Sequence, residues 1–167
     1  MKNDAAARRA GFTLIETLVY LALYAVIILG MLTAAYSLLE FNAHNETAAM
    51  VAEEGDYLLA KINTAISGAA SIRSPADSGT TLSVIDTDGL ATTIEADSSG
   101  IRIQENRAAF QTLNNGDVSV VDLVFVHTHT GNSFDPESIS VSFTLVATTT
   151  DGHMLSRDFT AIEYLHL

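Results

Sequence analysis

The sequence predicts an α+β protein: one long N-terminal α-helix, its outer half packed on an antiparallel β-sheet head. Three observations lead there. An uncharged, apolar run fills Thr17–Leu39. Apolar and small residues at helical spacing carry the pattern on to position 65, and from Thr80 onward short alternating segments are separated by turn dipeptides.

The run TLVYLALYAVIILGMLTAAYSLL has the length at which an α-helix crosses the hydrocarbon core of a bilayer, about twenty apolar residues. The basic residues Lys2, Arg8 and Arg9 precede it, so the positive-inside rule places the N-terminus in the cytoplasm and the bulk of the chain outside. A secretory signal peptide would have a shorter apolar region closed by a small-residue cleavage site. Here the apolar run is longer and is followed by EFNAHNET, which continues as helix. Its middle holds Gly30, which weakens a helix less than proline would.

Beyond the run, His44, Ala48, Val51, Gly55, Leu58, Ile62 and Ala65 recur at helical spacing, while Glu46, Glu53, Glu54, Asp56 and Lys61 fall mostly elsewhere around the helix. The expectation is one helix from about Phe12 to Ile66, with Gly55 its weak point and Gly68 its end. Ser74-Pro75-Ala76-Asp77-Ser78-Gly79 reads as loop. The segments TLSVID, ATTIEA, IRIQE, VSVVDLVFVHT, SISVSFTLVAT and MLSRDFTAIEYL then read as six strands. Asp88-Gly89, Ser99-Gly100, Asn115-Gly116, Gly131-Asn132 and Asp151-Gly152 supply the turns between them, and such close connections favour antiparallel pairing.

Composition narrows the function classes. Two prolines, ten glycines and 48% apolar residues describe an ordered, packed chain. Eight Lys+Arg against twenty Asp+Glu leave a formal charge of −12, a field that repels phosphate backbones, so no direct nucleic-acid partner is expected. With no cysteine, disulfides, thiolate nucleophiles and Cys-ligated zinc are excluded.

One charged residue interrupts the start of the apolar helix. In RRAGFTLIETLVYL, Glu16 stands where a carboxylate costs a few kcal/mol in hydrocarbon, and such residues tend to be paired and functional. The combination of a short basic leader, Gly11-Phe12, Glu16 at this offset and an apolar helix resembles the class III signal of type IV prepilins and pseudopilins. The resemblance covers roughly the first thirty positions. It implies that a membrane-embedded prepilin peptidase cuts between Gly11 and Phe12 on the cytoplasmic side and N-methylates Phe12. Glu16 would then neutralise the N-terminal amine of a neighbouring subunit during filament assembly. A plainer reading keeps Glu16 as an interfacial carboxylate, favoured by the helix macrodipole and reaching to water.

On the prepilin reading residues 1–11 are a prepilin leader, 12–40 the transmembrane half of the helix and 41–67 its amphipathic outer half. Residues 68–79 are a loop and 80–167 an antiparallel β head.

The head carries little chemistry in its motifs. His127 and His129 stand two apart on a strand and so share a face, which makes them weak metal candidates. The sequence places no third ligand with them, and an exposed polar face is the plainer expectation. Asp86-Thr87-Asp88-Gly89 looks like a calcium-loop fragment but lacks the later oxygen ligands, and a hairpin turn accounts for it. Nothing arranges Ser, His and Asp as a triad, and no phosphate-binding loop is present, so no enzyme activity and no cofactor are expected.

The expected function is therefore structural. The chain reads as a subunit of a type IV pilus, a type II secretion pseudopilus or a DNA-uptake filament. Lacking a C-terminal cysteine pair, it is more similar to a minor pilin or pseudopilin. Its expected partners are other pilin or pseudopilin subunits, the prepilin peptidase, the inner-membrane assembly platform and the membrane itself. Before assembly it would be a single-pass protein of the cytoplasmic (inner) membrane with its head outside. The alternative is a membrane-anchored periplasmic or extracellular module whose head holds a ligand or a cation.

Overall fold

The structure, a computed structural model, describes residues 13–98, 100–129, 137–150 and 152–165. It is α+β. The chain divides into two compact units, one ending at Asn42 and the other comprising Ala43–Leu167.

Helix α1 runs Leu14–Ser67 without interruption at Gly30. Thr13 opens it: its carbonyl accepts the Glu16 and Thr17 N–H groups, and its hydroxyl lies 3.4 Å from the Glu16 amide. Thr13-Leu14-Ile15-Glu16 thus has the Ser/Thr-x-x-Glu/Gln form of a capping box, with Glu16 at the third helical position. Gly68 follows the last helical residue. Within the first unit the described part of α1 exposes its apolar side chains, from Leu14 through Leu39 and Phe41. One window of this helix is long and apolar enough to cross a membrane, with a mean hydropathy of 2.3 and no residue buried by protein.

In the second unit the same helix buries Val51, Gly55, Leu58, Ile62 and Ile66. Fully burying each of Leu58, Ile62 and Ile66 contributes about 1.5–3 kcal/mol before entropy is counted. His44 stays exposed, and the last buried position is Ile66 rather than Ala65.

The strands are β1 Ala69–Ser74, β2 Ser78–Gly79, β3 Thr81–Asp86, β4 Ala91–Asp97, β5 Gly100–Glu105, β6 Gln111–Thr112, β7 Val118–Thr128, β8 Ser138–Thr148 and β9 Met154–Tyr164. All pair antiparallel, but in two sheets rather than one, ordered β1-β3-β4-β5-β6 and β2-β7-β8-β9. Both sheets and the helix share one apolar core. The central strand β8 shows why: Ile139, Val141, Phe143, Leu145 and Ala147 alternate inward along it.

The expected loop over 68–79 is corrected. Its first part, AASIRS, pairs with β3 as an edge strand, and Ser78–Gly79 pairs with Val126 and Phe125 of β7 at the edge of the other sheet. Small residues with only Ile72 as a strong strand former carry almost no local signal. Pairing and the burial of Ala69 decide their conformation.

Strand β7 carries a bulge that changes which of its side chains face inward. Val121 pairs with Thr144 and Val124 with Ser142, so two β7 residues face one on β8, and Asp122 takes a positive φ of 55°. Before the bulge the even positions Val118 and Val120 turn inward; after it the odd positions Leu123, Phe125 and His127 do. The bulge therefore aims His127 at the core side of the sheet.

At Gly55 the helix passes close against Phe159 of β9. A Cβ there would fall inside van der Waals contact of the Phe159 ring, which is itself stacked on Phe143 at 5.4 Å between centroids. Alanine at position 55 would gain about 0.5–1 kcal/mol of helix propensity but displace a packed aromatic at a cost of about 1–3 kcal/mol. Gly55→Ala is therefore expected to lower the thermal midpoint of the second unit by several degrees. An unchanged or higher midpoint would show that the ring yields freely.

Candidate functional site

Of the residues singled out from the sequence, Gly11 and Phe12 lie outside the described residues. Glu16 lies in the first turn of α1, exposed, where an acidic side chain also complements the helix dipole. The Thr13 hydroxyl faces the Glu16 amide, the Thr half of the capping box whose pattern TLIE carries in the sequence.

The histidines are placed differently from the expectation of a polar outer face. His127 is buried at 7% exposure on the inward side of β7, and His129 follows the strand on the same side, exposed. Their rings touch, with centroids 3.9 Å apart. His127 Nδ1 lies 3.2 Å from the Pro75 carbonyl oxygen, and His129 Nε2 lies 2.6 Å from that of Ala76. A carbonyl only accepts, so each of these ring nitrogens carries the proton and donates.

The second nitrogen of each ring faces Glu137, one residue before β8. His127 Nε2 is 3.2 Å from Oε2, and His129 Nδ1 is 3.8 Å from Oε1. The fold thus supplies the third side chain that spacing did not predict. Glu137 arrives because Thr128 pairs with Ser138 across β7 and β8, which sets the residue before β8 opposite His129. Pro75 and Ala76 arrive because the segment expected to be loop runs between the edge strands of the two sheets.

The Asp86–Leu90 turn gives its oxygens to the backbone. Asp86 Oδ1 accepts from the Asp88 and Leu90 N–H groups at 2.9 and 2.8 Å, and Gly89 takes the positive φ of 79° that the turn requires. A cleft bounded by Glu46, Met50, Asp117, Val121 and Met154 lies beside the helix within the second unit, and no nucleophile–base pair converges among these residues.

Asn114 is a polar residue of the core that no motif or spacing signals. It is buried, its Oδ1 accepts the Ile101 N–H at 2.9 Å, and its Nδ2 donates to the carbonyls of Val118 and Asn115 at 3.0 Å each. It thereby ties β5 of one sheet to β7 of the other. The Glu54 side chain of α1 accepts the Asn115 N–H at 2.8 Å, anchoring the same turn to the helix. Gly100, at a φ of +123°, leaves room for the Asn114 amide that a Cβ would occupy.

No protein-family model, curated protein or solved structure matches this chain. What stands is the class: an α+β protein whose N-terminal helix is long and apolar enough to serve as a membrane anchor.

Proposed function

We propose that the chain is a filament subunit similar to minor pilins and pseudopilins, held in the cytoplasmic membrane by α1 until it is assembled. The observation that carries this is the signal RRAGFTLIE standing directly before the apolar helix. The exposed apolar side chains of α1 are in keeping with it: they need lipid first and neighbouring helices afterwards. In this reading a prepilin peptidase cuts between Gly11 and Phe12, the head stands outside the membrane, and the partners are other subunits and the assembly platform. The head is a packing module rather than an enzyme.

Processing tests the proposal. Gly11→Glu is expected to leave the precursor uncut in a strain that has the peptidase, because the residue before the scissile bond must be very small. The variant then migrates on a gel as the uncut precursor does in a peptidase-negative strain. A mobility identical to the processed wild type counts against the reading.

A further inference from the structure

We propose that His127, His129 and Glu137 bind a divalent transition-metal ion of the Zn²⁺ type. Their ligand atoms all lie within 4.8 Å of one another. Such a site is independent of the filament reading and would hold for an uncut anchored protein as well.

Donors and acceptors around the two rings point to a cation. Pro75 O and Ala76 O fix one protonated nitrogen on each ring, so a neutral His127 presents a bare Nε2, and a neutral His129 a bare Nδ1, to the Glu137 carboxylate. Bare nitrogen against carboxylate oxygen at 3.2 Å sets acceptor against acceptor. Something positive has to lie between them, a proton or a metal ion. Two rings with backbone carbonyls behind them and lone pairs converging in front is the arrangement in which outer partners orient metal-binding histidines.

The ligand set, spread over up to 4.8 Å, is wider than a bound ion requires and would draw in around one. Bonds of about 2.0–2.1 Å in tetrahedral geometry separate ligand atoms by about 3.3 Å. The His127–Glu137 separation of 3.2 Å already fits. The His129–Glu137 separation of 3.8 Å closes by about half an ångström, and His129 is exposed at the strand end, where it can move. Two imidazoles and one carboxylate favour a borderline ion over Ca²⁺ or Mg²⁺ and leave a fourth position to water. Because the ligands lie at the end of β7 and just before β8 and the two rings are held from behind by the segment between β1 and β2, a bound ion would pin that end of the β7–β8 pair.

The test uses the tag-free full chain in detergent, stripped with chelator and titrated with Zn²⁺ alone by calorimetry and thermal melting. The expected result is one site per chain and an upward shift of the melting midpoint by several degrees at saturating Zn²⁺, with no shift from Ca²⁺. His129→Ala and Glu137→Gln, both at solvent-reached positions, should each weaken Zn²⁺ binding about tenfold or more while the metal-free midpoint barely moves. Absence of Zn²⁺ binding would overturn the proposal. So would binding of equal strength in both variants, which would locate the ion elsewhere.

Discussion

If the proposed filament reading holds, Glu16→Leu is expected to enter the membrane at least as well as the wild type and to be recruited into a filament far less. Leucine removes the insertion cost of a carboxylate, so the lone subunit is favoured in lipid. On the proposed filament reading, recruitment fails because a processed amine of Phe12 on a neighbour would meet no counter-charge. Removing one partner of a buried ion pair costs about 3–5 kcal/mol in a dry site, two orders of magnitude or more in occupancy. The capping geometry at Thr13 supplies the rival account and a way to separate the two. A capping box accepts glutamine as readily as glutamate, so Glu16→Gln keeps the helix start and loses only the charge. Under amine pairing, Gln fails almost as badly as Leu, and Asp is intermediate because its reach is shorter. Under capping alone, Gln is near wild type and Leu loses no more than about 1 kcal/mol of helix stability. Insertion and incorporation are measured separately, and a Gln variant that does both normally removes the pairing mechanism.

The largest stability loss from one polar substitution is expected at Asn114. Asn114→Ala leaves the Ile101 N–H and the Val118 carbonyl without the partners they have now, at about 1–3 kcal/mol for each buried group. Allowing for partial relaxation, the chain should lose about 2–4 kcal/mol. Asn114→Asp is nearly isosteric but replaces the Nδ2 donor with an oxygen that faces two carbonyls. It should be at least as damaging near neutral pH as alanine, and should recover partly in acid, where a protonated carboxyl can donate. Denaturant midpoints of the two variants check this. Equal stability of the Asp variant and wild type at neutral pH would show that the amide does not hold the two sheets together.

How much of the fold is legible in the sequence depends on whether the deciding force is local. The long helix announces itself through its uncharged run and the spacing of Val51, Leu58 and Ile62, and the structure places α1 over Leu14–Ser67. The six expected strands correspond to β3, β4, β5, β7, β8 and β9, whose alternation or β-branched content is intrinsic. What local pattern does not contain is who pairs with whom. Nothing in TLSVID or VSVVDLVFVHT says that they belong to different sheets, and AASIRS becomes a strand only because β3 offers it an edge.

The His127 environment is hidden for the same reason. Simple alternation along VSVVDLVFVHT puts Val118 and His127 on opposite faces, and only the bulge at Asp122 reverses the parity. A charged residue in mid-run is the available signal. Glu137 stands ten residues after His127 and comes near through the β7–β8 register. Gly55, a weakness of the helix by propensity, is instead the place where Phe159 fits. Gly11, Phe12 and Glu16 are the reverse case: the roles proposed for them rest on order and offset along the chain and not on the fold.

Mass spectrometry of the chain isolated from its native cell decides between a processed filament subunit and an uncut anchored protein. The filament-subunit account predicts an N-terminus at Phe12 carrying one N-methyl group, with residues 1–11 gone. An intact chain beginning at Met1 would contradict it.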